Sequence, residues 1–478
     1  MRLAALVCLL VVLAVSLPAQ HRYYPPTDPL VQKKLAWWAD AKFGLLMHWG
    51  TYSQWGIVES WSICPEDSEW CRRLGPDAGD YAAYKASYEG LKKTFNPTRF
   101  DPARWAKAAA RAGMKYVVFT TKHHDGFCMF DTKQTDYKIT DPGCAFSSNP
   151  GSDVTKGIFE AFRAEGLGVG AYFSKADWHV PSYWHPRWPP QDRHVNYDPV
   201  KYPKYWEAFR TFTANQIREL VTGYGPVDIL WLDGGWVRPN RASDSVCAGV
   251  VRYNEDIGMD DIAAEARTHQ PGLIVVDRDV EGPNQNYLTP EQQIPAGPLP
   301  YPWETCMTMA TSWSYVPNDP YKPARKLIHL LATIVSRGGN FLLNVAPSPE
   351  GTFDDTAYSR LAEIGDWMGT NGEAIYGTSA GTTLAGGKIV TTVKTDGSKR
   401  TYAIYLGDEG EEFPATVRLD GWTGPGAVRV LGAGETAIPA ERDDRGMSLR
   451  IPEALRQAPP GRYAWVFALG APGPDPRR

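Results

Sequence analysis

Residues 225–236 read GPVDILWLDGGW. Val227, Ile229, Trp231 and Leu232 make an apolar run suited to a strand buried on both faces. An acid, Asp233, stands at its last position, and Gly234 and Gly235 let the chain turn sharply away. A carboxylate at the mouth of a buried parallel strand is costly to desolvate unless something pairs or uses it. Asp233 is therefore a candidate nucleophile. The competing reading is a structural acid that caps a helix or pairs with Arg278.

The same pattern recurs on both sides. Residues 31–41 read as a helix and 43–49 (FGLLMHW) as a buried strand that ends at His48. A long polar insertion runs to residue 96, and then Asp101-Pro102 opens a helix with the acid as N-cap and proline at N1. Its buried face is expected to carry Trp105, Ala108, Ala109 and Ala112. Residues 115–121 (KYVVFTT) form a strand that runs into KHHDGF, and 168–174 (GVGAYFS) form another. A helix over 202–222 leads into the Asp233 strand, 273–276 ends in Asp277-Arg278-Asp279, and 340–345 (NFLLNV) is the last strand of the series. Strand–helix alternation with continuous apolar strands predicts a parallel sheet. Five of the six clear strands end in polar residues: His48, His123/His124, Ser174, Asp233 and Arg278. Convergence of strand ends on one site is the design of a (β/α)8-type barrel. A doubly wound open sheet would gather its ligand groups at one switch point, usually with a Gly-rich phosphate loop, and no such loop is present. From residue 377 the pattern changes to short alternating segments between Gly, Asp and Pro, which predicts a C-terminal antiparallel β-sandwich. The expected division is a signal peptide at 1–20, the barrel at 21–376, the sandwich at 377–470 and a tail at 471–478.

Composition narrows the function. The 478 residues carry a net charge of -4, without the basic excess that a nucleic-acid partner would demand. Aromatic residues make up 12%, with 18 Trp and 24 Tyr, which suits either a Trp-rich core or a cleft whose flat faces stack on sugar C–H surfaces. Arg2, the apolar run at 3–15 and Ser16-Leu17-Pro18-Ala19 form a cleavable export signal, so the protein is expected to be secreted or periplasmic. No later stretch reaches the length of a membrane span. Removing Cys8 with the signal leaves six cysteines, with Cys64/Cys71 and Cys128/Cys144 as the local candidates for disulfides. No paired CxxC or HxxxH spacing calls for zinc, and no metal centre is expected.

Two clusters bear on chemistry. His123, His124 and Asp125 follow a strand, where successive side chains point to opposite faces, so a pair that binds sugar hydroxyls is expected rather than one that shares an ion. One of the two could instead be a satisfied core histidine. Hydrolysis of a glycosidic bond needs a second carboxylate besides Asp233. Glu291 lies on a loop long enough to drape over a barrel mouth, Glu304 follows Trp303, and Glu59 lies in VESW.

Several long motifs then identify a family: AKFGLLMHWGTYS (41–53), YVVFTTKHHDGF (116–127), ILWLDGGW (229–236) and TPEQ (289–292). WETC (303–306), SWSY (312–315), RGGNFLLNVAPSPEG (337–351) and NGEAIYGT (371–378) follow in order. Together they resemble the α-L-fucosidases of glycoside hydrolase family 29. The resemblance implies a retaining exo-glycosidase that acts on terminal α-L-fucose of glycans by double displacement, without a cofactor. It implies Asp233 as nucleophile and Glu291 as acid/base, with Glu304 as the fallback. His48, His123, His124, Tyr172, Trp231 and Arg278 match its fucose-binding positions. Glu59 and Trp61 are further substrate-binding candidates, in a segment where this chain departs from the family's SEWY-like pattern and has VESWS. The rival functions are a barrel glycosidase for an α-galactoside or a modified fucoside, and a catalytically dead carbohydrate-binding protein.

Overall fold

The computed structural model describes residues 22–240, 253–382, 384, 387–424, 427–434, 436 and 438–470. The expected signal peptide, Cys8, Cys247 and the tail at 471–478 lie outside the described residues.

A helix, α1 (Pro29–Ala41), leads into strand β1 (Phe43–Met47). After α2 (Tyr81–Gly90) and α3 (Pro102–Arg111) the chain alternates: β2 (Tyr116–Lys122), α4 (Val154–Ala164), β3 (Gly168–Ser174), α5 (Pro203–Gly223), β4 (Ile229–Asp233), α6 (Met259–His269) and β5 (Ile274–Asp277). Then come β6 (Glu304–Thr308), α7 (Ala324–Ser336), β7 (Asn340–Asn344) and α8 (Asp355–Asn371). The seven strands form one parallel sheet in the order β5-β4-β3-β2-β1-β7-β6. Strand alternation divides their side chains. Leu46, Tyr116, Val118, Tyr172, Ile229, Trp231 and Leu342 point into the barrel, where Leu35, Trp38 and Ala41 of α1 plug one end. Leu45, Val117, Phe119, Leu230 and Leu232 pack outward against the helices. The expected barrel stands.

Its closure is irregular. The edge strands β5 and β6 do not pair; residues 284–292 pass between them as an eighth stave. On one side the Asp277 amide donates to the Asn284 carbonyl at 2.9 Å and the Asn286 amide to Val275 at 3.0 Å. On the other, the Glu304 amide donates to Leu288 at 2.8 Å and the Gln292 amide to Cys306 at 3.0 Å. The loop expected to drape over the mouth is thus part of the wall.

Other expectations need correcting. β6 was not among the six clear strands, because its sequence ETCMT lacks an apolar run although all five residues are buried. The polar insertion contains α2, which buries only Tyr84 and Tyr88 of its ten residues and so leaves little periodicity to read. On α3 the Asp101 carboxylate caps the Arg104 amide at 3.0 Å as expected, but Ala106 takes the buried place assigned to Ala108.

Beyond α8 lie β8 (Thr378–Ala380), β9 (Ile389–Lys394), β10 (Thr401–Leu406), β11 (Thr416–Asp420), β12 (Val428–Val430), β13 (Ala440–Asp443), β14 (Gly446–Arg450), helix α9 (Glu453–Gln457) and β15 (Ala464–Leu469). They pair antiparallel in a five-stranded sheet, β12-β15-β10-β9-β8, and a three-stranded one, β11-β14-β13. Ala403, Val417, Leu419, Met447, Leu449 and Phe467 fill the core between them. Trp367 of α8 donates to the Ala464 carbonyl at 2.9 Å, tying sandwich to barrel.

Cys128 and Cys144 do not form the local disulfide considered for them. Cys128 Sγ donates to the Gly126 carbonyl, Cys144 Sγ lies 3.7 Å from that of Phe95, and both are buried thiols. Cys64 and Cys71 are also buried thiols and form no disulfide.

Candidate active site

At the strand C-termini lies a cavity of about 730 Å³. Asp233 reaches it because Ile229, Trp231 and Asp233 share one face of β4, and that face points into the barrel. Gly234, at φ +87°, turns the backbone away and donates its amide to Asp233 Oδ1 at 2.8 Å. The Tyr172 hydroxyl donates to Oδ2 at 2.6 Å, and Arg278 Nη1 donates to Oδ1 at 3.2 Å. Burial raises the carboxyl's pKa, but the nearby Arg278 guanidinium and the Tyr172 hydroxyl outweigh it and hold Asp233 well below the usual carboxylate range. It is ionised and fixed by three donors.

Arg278 reaches further. Its Nη2 donates to Glu291 Oε2, so one guanidinium bridges both carboxylates. Trp313 Nε1 donates to the other oxygen of Glu291 at 3.2 Å. Glu291 hangs from the irregular stave and its side chain is 39% exposed against 14% for Asp233, so it borders the open side.

Three neutral histidines line the inner wall. His48 Nδ1 lies 2.9 Å from Asn344 Oδ1, and burial pushes the imidazole down to about 4. His124 is likewise pushed down to about 4 by burial, so its 3.8 Å approach to Asp233 is not an ion pair, and Arg278 is the cation that holds the carboxylate. His123 contacts the Ser60 hydroxyl and stacks on Tyr172 with ring centroids 5.7 Å apart. The expectation that adjacent histidines diverge does not hold here. β2 ends at Lys122, both histidines lie in the turn that follows, and their rings stand 4.2 Å apart on the same cavity. Donor atoms of His123, His124 and Asp233 all lie within 4.8 Å of one another, as do those of Cys64, Glu66 and Cys71. The serine hydroxyl contacts of both histidines and the Tyr172 contact of Asp233 suit a hydroxylated ligand.

Glu59 also faces the cavity, 3% exposed, and its Oε2 has no hydrogen-bond partner among the described residues. Burial, reinforced by the negative Glu291 and Asp233, pushes it up to about 8. It is a neutral carboxylic acid at pH 7, able to donate a hydrogen bond into the cavity.

Of the eleven expected site residues, ten line this space; Glu304 does not. It begins β6 fully buried, accepts a hydrogen bond from the Tyr116 hydroxyl, and has the polar atoms of Tyr287, Trp231 and Trp38 turned toward it. Burial outweighs these donors and pushes it up to about 7. It sits among groups on the inner barrel face, under Trp231, and has no opening to the cavity.

The cavity also contains residues not anticipated: Trp313, Trp236, Glu66, Asp192, Arg193, His194 and Arg238. Trp313 and Trp236 occur within motifs already singled out, SWSY and ILWLDGGW, and could have been found there. Arg193 lies in a polar segment that carries no signal.

A model of the Alpha-L-fucosidase family matches residues 10–373. An alpha-L-fucosidase of Dictyostelium discoideum is 26% identical over 96% of this chain and 97% of its own. A plasma alpha-L-fucosidase of Homo sapiens is 26% identical over 94% and 92%. Among solved structures, alpha-L-fucosidase isoenzyme 1 from Paenibacillus thiaminolyticus superposes with a TM-score of 0.72 at 28% identity, covering 92% of this chain and 99% of that one. Thermotoga maritima alpha-fucosidase superposes at 0.70 with 26% identity, covering 92% and 98%.

Proposed function

The chain belongs to the α-L-fucosidase family of glycoside hydrolases, and on that premise we propose an exported, exo-acting enzyme that releases terminal α-L-fucose from glycans with retention of configuration. The observation that carries the mechanism is the single Arg278 guanidinium shared by Asp233 and Glu291. A bridge that short supports the closer carboxyl spacing of retaining enzymes, about 5–5.5 Å, over the wider gap of inverting ones. Asp233 attacks the anomeric carbon, and Glu291, protonated, delivers its proton to the departing oxygen. Glu291 then takes a proton from the water that cleaves the fucosyl ester. No cofactor enters either step. His48, His123 and His124, each neutral, hold ring hydroxyls, while the Trp231 and Trp313 faces accept the methyl-bearing side of the sugar. The apolar run at 3–15, read as a cleavable export signal, supports export, and among the described residues no helix is long and apolar enough to cross a membrane.

Glu59 gives a second reading of the acid. It already carries a proton at neutral pH, whereas Glu291 is engaged by a guanidinium. The deciding experiment follows an aryl α-L-fucoside by NMR for product configuration, then compares variants. Asp233→Gly should lose turnover at least 10³-fold with the fold intact, and near-normal activity would refute the nucleophile. Azide should restore turnover of Glu291→Ala; if it restores Glu59→Ala instead, the proton donor is Glu59.

A further inference from the structure

We propose that Trp61, Trp236, Arg193 and Glu66 form a built binding site for the leaving group, and that this group is a neutral sugar. The proposal rests on the fucosidase reading and extends it to the other half of the substrate. A space of about 730 Å³ falls in the upper part of the range for drug-sized ligands, more than one deoxyhexose fills. The wall leads outward by contact. His124, beside Asp233, touches the Trp61 ring at 5.2 Å and the Trp236 ring at 5.0 Å between centroids. The Arg193 guanidinium carbon lies 4.7 Å from the centre of Trp61 and 5.2 Å from that of Trp236. Side-chain exposure rises along this path, from 2% at His124 to 28% at Arg193.

The wall is rigid before any ligand arrives. Arg193 Nε and Nη2 make a fork on Glu66, at 2.6 and 2.5 Å, and the Arg193 amide adds a third bond to the same carboxylate at 2.9 Å. The Arg193 carbonyl accepts from Trp178 Nε1 at 3.1 Å and from the Tyr183 hydroxyl at 3.0 Å. Trp236 Nε1 donates to that same hydroxyl at 3.1 Å, and the buried Glu255 Oε2 lies 3.0 Å from it, sharing its single proton with the Arg193 carbonyl. Glu255 in turn holds His194 at 2.6 Å. None of these groups is needed by the chemistry at Asp233, yet Glu66, Arg193, His194 and Trp236 line the cavity and the others brace them from behind.

The chemistry selects the occupant. Two indoles offer flat apolar surface to the C–H face of a pyranose. Arg193 Nη1 has no hydrogen-bond partner among the described residues and can donate to a hydroxyl oxygen, and Glu66 has lone pairs left to accept from one. Because the arginine and glutamate neutralise each other, the site has little to offer a carboxylated or sulfated sugar.

The test uses two substrates with the same glycosyl half. α-L-Fucosyl fluoride loses a single atom that cannot touch this wall, whereas fucosylated neutral disaccharides must lay their second ring on it. For wild type, Arg193→Lys and Trp236→Ala, the quotient of kcat/KM on the best disaccharide over kcat/KM on the fluoride is measured; the folded fraction cancels in it. The quotient should fall at least tenfold in both variants, carried mainly by KM. A quotient within twofold of wild type in both variants overturns the site, and a wild-type preference for a uronic-acid leaving sugar over the neutral one overturns its chemistry. A wild type inert on the fluoride sinks the fucosidase reading itself, and this proposal with it.

Discussion

Glu304 offers a decisive perturbation, because it combines full burial with a pKa near physiological pH. Lifting the carboxyl from its ordinary 4.5 to about 7 means the charged form costs the folded protein about 3 kcal/mol relative to the unfolded chain. The sign follows from the direction. A group whose folded pKa is raised stabilises fully below its unfolded value, and that stabilisation is lost as the pH rises through the folded value. Between pH 5 and pH 8 the wild type should lose about 2.5 kcal/mol through Glu304 alone. Glu304→Gln keeps the shape and an acceptor for the Tyr116 hydroxyl, and has nothing to ionise. Other titrating groups are common to both proteins and drop out of the comparison. With a melting entropy of about 2 cal/mol/K per residue, the difference in Tm between variant and wild type should drift by roughly 2–3 °C in the variant's favour from pH 5 to pH 8. Differential scanning fluorimetry in a pH series resolves this, and the 18 Trp provide the signal. Parallel Tm curves would show that the buried group does not titrate there. The same variant settles the catalytic question: a hundredfold loss of turnover that azide restores would return Glu304 to the role of proton donor.

Two further perturbations test other parts of the structure. Glu59 loses its proton as the pH passes about 8, which puts a new negative charge on the wall it shares with Asp233 and Glu291. The alkaline limb of kcat/KM should therefore fall near pH 8, and Glu59→Gln should move that limb upward; an unmoved limb would assign it to another group. A Cβ on Gly44 would stand 2.5 Å from the ring of Tyr116, so Gly44→Ala should cost about 1–3 kcal/mol through overpacking. A Tm within half a degree of wild type would contradict that contact.

What the sequence made legible was whatever strand burial writes into it. Continuous apolar runs marked β1 to β5 and β7, and the polar residue that ends most of them marked the site, which is how Asp233, His48 and Arg278 were found. β6 stayed hidden because Glu304, Thr305 and Thr308 are buried by partners: Tyr116 serves the acid, and the Thr305 hydroxyl donates to the Gln293 carbonyl at 2.7 Å. Satisfied polar groups leave no hydrophobic signature. That also explains why Glu304 resembled a site acid. The histidine pair misled for a different reason. Alternation applies inside a strand, and one residue past its end the turn at Gly126, with φ +80°, sets the directions. Arg193 could not be read at all, since its place depends on Glu66 reaching it from 127 residues away.

Asp233 and Glu291 are mounted on different hardware. Position 233 ends a strand laced into the sheet by β3 and β5, so its coordinates are set by the whole ladder. Position 291 rides a ribbon stitched to its neighbours at scattered points. Insertions or substitutions in such a ribbon can swing one carboxylate through several ångströms while the other stays anchored. Descendants of this scaffold can reshape the Glu291 side of the cavity without disturbing the mount of Asp233.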